Sequence, residues 1–507
     1  MTAPQATSIP AKPKKRPLLP PQFVRAMLAG HSALGIAFAA LIYIVCLTGT
    51  LAVFLHELHR WEQPDAPVVN SPLSSEAVSA LVRAGYEKAL AAGAAHDLFV
   101  MGPGPAQSRV LVNFHDDATG TEGNWIGDAA GNLAVAHHAP WSEFVGALHI
   151  HLHLPRTWGL FLVGLTGVTL LSSLISGLLS HPRLFKDAFA LRWGGSRRLE
   201  QADLHNRLGV WGLPFHVVVS TTGALLGLST LIVGVLALAA YDGDTEKAFA
   251  TILGPRATEN ETAAPVPDVA AMMRHVQAGQ PGAMFVSVNM QDIAKAGQVV
   301  HLGMRTPGHL AMANSYYFDG TGKPLGDGGL ETGTVGQQIL GALQPLHFGW
   351  FGGLVVKIAY GLLGFALTVV THSGIAIWLA RRREQGRPLP LWEKIWSAVT
   401  WGQPLAIAAA ALTIFVIGEA YAVPIYAAVT ALAISSAPLA PDAVRLTHLL
   451  RVLAGLTILA AVGLHALTWY GRATDPVHYW VSAALAIAGL CVLASAVRRS
   501  APHLSRA

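Results

Sequence analysis

The sequence has few cysteines and few charged residues. Among its 507 residues only Cys46 and Cys491 are cysteines, and charged residues make up 12% of the chain. Both cysteines lie in apolar stretches, so the sequence predicts neither a disulfide framework nor a four-thiolate iron–sulfur or structural zinc site. With 52% hydrophobic residues and a mean hydropathy of +0.45, the composition differs from that of a soluble protein of this length.

Two familiar sequence signals are also missing. The chain contains neither a Walker lysine motif nor a Gly-x-Gly-x-x-Gly between a strand and a helix, so we expect no NADPH or flavin domain. The basic, proline-rich start lacks the short apolar core and the small-residue cleavage site of a signal peptide. We therefore expect this segment to stay on the chain.

Apolar segments that can cross a bilayer dominate the sequence. About 20 residues suffice for a helical span, and four segments exceed this length: Phe23–Leu55, Trp158–Leu179, Leu208–Tyr241 and Phe348–Leu379. Further apolar stretches follow residue 400, where Trp401–Ala437 is either one broken helix or two short ones. The sequence predicts a polytopic α-helical membrane protein with seven or eight spans.

Lysine and arginine concentrate in three connections, which the positive-inside rule places in the cytoplasm. Two long inserts carry more acidic than basic residues and are expected outside. The net charge of +5 then reflects topology, and we expect no nucleic-acid partner. The predicted order is a cytoplasmic basic, proline-rich arm (1–22), a first span (23–56), a first outer module (57–148), a second span (149–181), a cytoplasmic loop (182–204), a third span (205–241), a second outer module (242–346), a fourth span (347–380), a cytoplasmic loop (381–400), C-terminal spanning helices (401–497) and a tail (498–507).

A histidine pattern occurs twice, at an offset of 174 residues. The first copy consists of His31, Leu34, Gly35, Thr48 and Gly49, and the second of His205, Leu208, Gly209, Thr222 and Gly223. A second pair of repeats is similar: His149 precedes Gly177 by 28 residues, and His347 precedes Gly374 by 27. This pattern predicts a duplicated four-helix core with approximate two-fold symmetry about the membrane normal.

Each insert has the pattern of a small α+β module. The first has a helical stretch at Ser75–Ala92 and strand-like segments at Leu98–Met101 and Arg109–Phe114. The second has a helical Val266–Gln277, strand-like segments at Met284–Val288 and Val299–Met304, and a glycine-containing turn after Asp319. We expect recognition or cover modules.

Taken in order, several segments resemble the PepSY-associated transmembrane family, in particular its iron-regulated branch, which includes bacterial siderophore-iron reductases. The resemblance rests on the duplicated histidine pattern and on the segments Ser176–Asp187, Asp203–Asn206, Leu213–His216, Pro345–Gly353 and Tyr317–Gly322, within residues 20–385. It implies PepSY-like periplasmic modules and a helical core that carries haem. It further implies electron transfer across the bacterial inner membrane to ferric siderophores in the periplasm.

A non-covalent b-type haem needs two imidazoles that face each other at one depth on neighbouring helices. Two-fold symmetry pairs His31 with His205 near the cytoplasmic side and His149 with His347 near the periplasmic side. Two haems b would then lie one above the other across the bilayer.

Other histidines compete for these roles. A continuous helix from His149 to His181 would be about 48 Å long, more than the hydrocarbon core of about 30 Å, so at least one of the two lies outside the core. His216 lies eleven residues beyond His205 on the same helix face and is a rival inner ligand. His181, His372 and His153 are further alternates. A single membrane histidine can also serve only in packing or hydrogen bonding.

The segment from His149 to His153 has a second interpretation. If it is extended, His149, His151 and His153 share one face and could bind iron or copper, together with His56, His59, His137 and His138. If it is helical, His149 and His153 share a face and His151 points elsewhere. Arg156 and Lys357 could pair with haem propionates or could be snorkelling anchors.

The sequence predicts a multi-pass membrane protein with a cytoplasmic N-terminus, and the resemblance implies an oxidoreductase of the bacterial inner membrane that reduces ferric siderophore iron on the periplasmic side. Membrane lipid, a ferric siderophore and an unknown electron donor, which could be quinol, are its expected partners. Two other functions fit the same features. One is a non-catalytic membrane module whose PepSY-like parts bind a periplasmic partner such as a peptidase, and the other is a transporter of iron or a ferric chelate.

Overall fold

The computed structural model describes residues 19–94, 96–105, 107–116, 118–180 and 197–497. These residues are mostly helical, with one antiparallel sheet. The helices are α1 (Pro21–Ala52), α2 (Leu55–Glu62), α3 (Ser75–Ala91), α4 (Pro140–His151), α5 (Arg156–Ser180), α6 (Arg197–Trp211), α7 (Leu213–Gly227), α8 (Ser229–Ala240), α9 (Thr245–Leu253), α10 (Val269–Gly279), α11 (Val335–Phe348), α12 (Gly353–Glu384), α13 (Pro390–Val416), α14 (Ala422–Leu439), α15 (Ala443–Thr468) and α16 (Val477–Val497). The strands are β1 (Asp97–Met101), β2 (Val110–Asp116), β3 (Thr121–Gly127), β4 (Leu133–Ala136), β5 (Met284–Gln291), β6 (Val299–Arg305), β7 (Asn314–Asp319) and β8 (Pro324–Asp327).

The prediction of a multi-pass helical membrane protein is confirmed. Within the described residues, seven helices are long and apolar enough to cross a membrane, namely α1, α5, α12, α13, α14, α15 and α16. The pair α6 and α7 adds an eighth span if it crosses as one unit. The predicted stretch Trp401–Ala437 is divided between α13 and α14 by a 3₁₀ turn at Glu419–Tyr421.

Two segments expected to be continuous helices are broken. The second predicted span starts on α4, which ends at His151, because Leu152 and His153 have φ values of 56° and 53° and Pro155 follows before α5 begins. The length argument based on a continuous helix from His149 therefore does not apply, and His181 lies outside the described residues. The third predicted span bends by 70° between α6 and α7, where Gly212 precedes a helix with Pro214 in its first turn.

The two inserts contribute four strands each to a single eight-stranded antiparallel sheet, in the order β4-β3-β2-β1-β5-β6-β7-β8. The first strand of one insert pairs with the first strand of the other, with Phe99 opposite Asn289. Sequence alone indicated two modules but not this junction. Helices α3 and α10 cover one face, where buried residues of both inserts form a shared core around Leu81, Leu98, Met272 and Met290.

The sheet lies at one end of the helical bundle. Helix α1 runs from Arg25 towards the sheet, and α12 runs from the sheet towards Arg381–Arg383. An ion pair of 2.7 Å joins Arg198 of α6 to Glu384 of α12. The basic ends of these helices therefore lie opposite the sheet.

Replacing Leu98 with Ala tests the junction between the inserts. Leu98 is fully buried and lies opposite Met290 across the β1–β5 pair, so its loss should destabilise the sheet by about 2–5 kcal/mol. Hydrogen exchange in β1 and β5 measures the change. Leu325→Ala, on the edge strand β8 with the side chain 47% exposed, is the matched control. Equal exchange in the two variants would contradict a shared core.

Candidate functional site: two facing histidine pairs

The pair nearer the sheet, called here the outer pair, consists of His149 on α4 and His347 on α11. Their ring centroids are 6.2 Å apart and the ring planes differ by 21°. Both helices are short and stop soon after the histidine, at Leu152 and Gly349, which have left-handed backbone angles. Two corresponding segments of the chain therefore place one imidazole each at the same level.

The pair further from the sheet, called here the inner pair, consists of His31 on α1 and His205 on α6. These ring centroids are also 6.2 Å apart, but the planes differ by 76°. The structure brings together both pairs of histidines that the repeat pattern had linked.

The Nδ1 atoms of all four imidazoles are engaged by a neighbouring helix. The Nδ1 atom of His31 lies 2.8 Å from the Ser173 carbonyl oxygen, that of His149 lies 3.1 Å from the Val45 carbonyl oxygen, and that of His205 lies 3.0 Å from the Val370 carbonyl oxygen. The Nδ1 atom of His347 lies 3.0 Å from Thr222 Oγ1, and the His347 ring also interacts with the Val219 backbone. A bond of this kind fixes the tautomer that leaves Nε2 available as a metal ligand.

A glycine lies four residues after each of these carbonyl groups, and the imidazole packs on it. A Cβ at Gly49 would be 2.7 Å from Cε1 of His149, and one at Gly223 would be 2.9 Å from Cε1 of His347. The corresponding distances are 3.1 Å between Gly177 and His31 and 3.4 Å between Gly374 and His205. On a helix, residue i+4 lies over residue i, so the missing side chain exposes the carbonyl oxygen to a second donor.

The outer pair borders a cavity of about 390 Å³ within the four-helix core, in the size range of cofactor pockets. Its walls come from α1, α5, α7 and α12 and are mostly apolar. Gly49, Arg156, Phe215, Gly223, Tyr360 and Gly364 are among its lining residues.

The two pairs lie near opposite ends of the core. On α1, Gly49, which contacts the outer pair, follows His31 of the inner pair by 18 residues. That spacing corresponds to about 27 Å of helix, close to the thickness of the hydrocarbon core, about 30 Å.

The four histidines fit two bis-imidazole haem sites. Two metal–nitrogen bonds of about 2 Å, with about 1.1 Å from each nitrogen to its ring centre, place the two centroids roughly 6 Å apart. Both measured separations are 6.2 Å. The free Nε2 atoms and, at the outer pair, the apolar cavity also suit a flat porphyrin.

The other candidate ligands are placed differently. The ring of His216 turns back onto the start of its own helix, where a Cβ at Gly212 would be 2.5 Å from its Nε2. His372 stacks on Trp396 at 6.1 Å, and its Nδ1 lies 3.2 Å from Thr400 Oγ1, so it faces α13. Neither one faces a second imidazole in the way that the two pairs do.

The predicted outer cluster of His149, His151 and His153 is split among different partners. The Nδ1 atom of His151 lies 3.0 Å from the Leu154 carbonyl oxygen, and Nε2 of His153 lies 2.9 Å from that of Phe144. In the part of the chain that the structure describes, no group of three or more His, Cys, Asp or Glu side chains could hold a metal ion.

The two proposed propionate partners also differ. Arg156 lines the outer cavity. Lys357 is buried and forms a 2.6 Å ion pair with Glu57. Arg156 is therefore placed to pair with a carboxylate in the cavity, whereas Lys357 is already paired with the carboxylate of Glu57.

A row of imidazoles lies between the outer pair and the sheet. The ring centroids of His56 and His59 are 6.3 Å apart, and those of His59 and His137 are 5.3 Å apart. Burial lowers the pKa of His137 to about 4, and the nearby charge of Arg109 adds to the effect. Burial also holds the pKa of His59 well below its usual value, so both rings are neutral at pH 7.

The family described as the PepSY-associated TM region matches residues 28–381. The chain belongs to this family. An uncharacterised protein of Pseudomonas aeruginosa is 29% identical over 235 residues, which are 44% of this chain and 60% of the relative. The match thus covers less than two thirds of that relative's length. All four paired histidines and their glycines lie within the PepSY-associated region, whereas α13–α16 lie beyond it.

Sequence reasoning missed two features of this PepSY-associated core. The recurrence of Gly177 and Gly374 is visible in the sequence, but their contacts with His31 and His205 are not, because the contacting residues lie 146 and 169 positions apart. Glu62, which supports α4 from another helix, has no sequence signal at all.

Replacing Gly49 with Val should displace His149, since even a Cβ at that position lies 2.7 Å from the ring. In protein that carries haem at both pairs, we expect loss of haem absorbance from the outer site only. Gly177→Val should displace His31 and affect only the inner site, because a Cβ at Gly177 already lies 3.1 Å from the His31 ring. Visible spectra and haem content of the purified variants measure both effects.

Gly234→Val on α8 is the control, because no described atom lies within 4 Å of a Cβ there. Full haem content in all three variants would contradict the proposed packing.

The neutral rings of His59 and His137 predict a pH-dependent stability. In the unfolded chain, His59 and His137 bind protons as the pH falls below about 6.5. In the folded chain both pKa values are lower, and His137 binds a proton only near pH 4. The contribution of these two neutral rings to the free energy of unfolding is therefore fully present above pH 6.5 and is lost as the pH decreases towards 4. Urea unfolding across this range should show a weaker pH dependence in His137→Gln. Exposed His309→Gln should behave like the unaltered protein, and an unchanged slope in His137→Gln would refute the assignment.

Proposed function

We propose that this PepSY-associated protein is a haem-b electron-transfer protein of the bacterial inner membrane, with its sheet in the periplasm and its N-terminus in the cytoplasm. It reduces ferric iron held in siderophore complexes on the periplasmic side. The observation that carries the proposal is that the histidines of the repeat pattern meet as two pairs near opposite ends of one membrane core, each ring bonded through Nδ1 to a neighbouring helix and packed on a glycine.

The duplication of the core supports the proposal. In both halves, each histidine ring contacts a neighbouring helix where a glycine leaves the backbone exposed. In the outer pair a threonine hydroxyl also lies near each Nδ1 atom, with Thr48 at 3.5 Å from His149 and Thr222 at 3.0 Å from His347. Burying an imidazole in a membrane is costly, so histidines found there usually have a function. Four of them with a common arrangement indicate ligands more strongly than packing.

Haem supplies one-electron transfer when it is bound in such a site. The chain supplies the geometry: His31 and His205 hold the inner site, and His149 and His347 hold the outer one. Carbonyl groups orient the rings and raise the basicity of Nε2. Arg156 can neutralise a carboxylate at the outer cavity, and the apolar walls exclude water.

Transfer of one electron to a siderophore's Fe³⁺ gives Fe²⁺, which hard oxygen ligands hold less tightly. The two inserts, as PepSY-like periplasmic modules, supply the docking surface for the chelate. Because the sequence has no nucleotide-binding motif, electrons enter from quinol or from a separate cytoplasmic donor.

A pyridine haemochrome assay on the detergent-purified protein tests the proposal. We expect two b-type haems per chain. His149→Ala or His347→Ala should remove one, and His31→Ala or His205→Ala the other, because each site loses an axial ligand. The dithionite-reduced protein should be reoxidised by a ferric siderophore in stopped flow.

His216→Ala and His372→Ala are matched controls and should retain both haems. A folded but colourless protein would refute the redox function. The non-catalytic module and the iron or ferric-chelate transporter would then be the functions left to test, by partner capture and by iron uptake into vesicles.

A further inference from the structure

Helix α4, which carries His149, lacks a side-chain cap of its own. Its N-cap residue is Ala139 and its first residue is Pro140. Glu62 of α2 substitutes for the cap: Oε1 accepts the Trp141 N–H at 2.7 Å, and Oε2 accepts the Ser142 N–H at 2.8 Å. The Ser142 hydroxyl also donates to Oε2. A carboxylate at this end of a helix satisfies free N–H groups and stabilises the helix dipole.

The residues beside Glu62 fasten α2 to the C-terminal helices. Arg60 makes two hydrogen bonds of 2.5 and 2.7 Å with Asp475, in the loop between α15 and α16. Trp61 stacks on His465 of α15 at 4.0 Å and donates to Ser482 of α16 at 2.9 Å. Helix α2 is thus bound on one side to α4 and on the other to helices beyond the family match.

Helix α4 also packs directly against these C-terminal helices. Trp141, Phe144 and Leu148 form one buried cluster with residues of α2, α13, α14 and α15. The Trp141 indole N–H donates to the Ile407 carbonyl at 3.3 Å.

The partner helix α11, which carries His347, is supported differently. It has its own capping box, formed by Thr334 and Gln337, and buries only Ala342 and Pro345. Ile339 stands at the position equivalent to Trp141 and is 55% exposed. The duplicated halves therefore differ in what holds the outer imidazole.

We propose that Glu62 is a positioning residue for the outer histidine pair. Through Glu62 and α2, the C-terminal helices α13–α16 fix α4, and with it the orientation of His149. Their function in this chain is then to set the geometry of one redox site from outside the duplicated core. The spectroscopic part of this inference rests on the proposed haem function, whereas the support of α4 does not.

Glu62→Gln tests the proposal, because an amide presents only one oxygen to two N–H groups and a hydroxyl. Amide exchange across α4, from Trp141 to His149, should become about tenfold faster, as expected for the loss of a strong cap. In protein that contains haem, the outer midpoint potential and low-spin EPR signal should shift while those of the inner site stay unchanged. Glu62→Asp, which keeps the charge but is shorter, should give an intermediate shift.

Glu143→Gln is the matched control, since Glu143 lies in the first turn of α4 with a 60% exposed side chain. Because this variant keeps the Glu62 cap and loses only an exposed first-turn charge, it should accelerate exchange much less than Glu62→Gln and leave the outer spectra unchanged. Exchange in β1 and β5 reports on the rest of the fold and should be the same in all variants.

Unchanged exchange of α4 in Glu62→Gln would overturn the proposal, and so would faster exchange with unchanged outer spectra. If the protein contains no haem, the proposed function fails, and the exchange rates alone decide: acceleration along α4 as far as His149 supports positioning, and its absence refutes it.

Discussion

The arrangement of the membrane core depends on one interaction, an imidazole Nδ1 held by a helix carbonyl that a glycine leaves exposed. Two carbonyls sit on α1 and α5, and two on α7 and α12. A carbonyl oxygen has two lone pairs, so it can serve its own helix and also accept an imidazole N–H. The interaction fixes each ring at a defined depth and leaves Nε2 available as a ligand. Without it, burial of four imidazoles among apolar helices would be costly.

The same small residues allow the helices to come close enough for these contacts. A Cβ at Gly164 of α5 would lie 2.8 Å from the backbone of Gly227 on α7, so the two helices cross with their backbones nearly touching. Close crossings of this kind are typical of membrane bundles, where small residues replace the hydrophobic effect as the source of tight packing. Glycine therefore serves both the helix contacts and the histidine contacts in this core.

The sequence predicted the members of both pairs because the histidine pattern recurs at nearly fixed spacing along the chain. It did not predict that α4 ends before α5, since the left-handed angles at Leu152 and His153 occur in residues that ordinarily favour helix or strand. It also did not predict that β1 and β5 join two modules, because pairing between segments almost 200 residues apart has no local signal. Glu62 was missed for a similar reason, as its hydrogen-bond partners lie about 80 residues away.

The two histidine pairs are not equivalent, and the difference has a consequence for the proposed function. The rings of the outer pair are nearly parallel, at 21°, and those of the inner pair are nearly perpendicular, at 76°. One outer helix is fixed by Glu62 and the C-terminal helices, and the other is largely exposed. Two identical sites would favour neither direction of electron flow, whereas sites with different ligand geometry and support can differ in potential. Under the proposed function, the different ring geometry and support of the two pairs would give the two sites different potentials, which directional electron transfer requires.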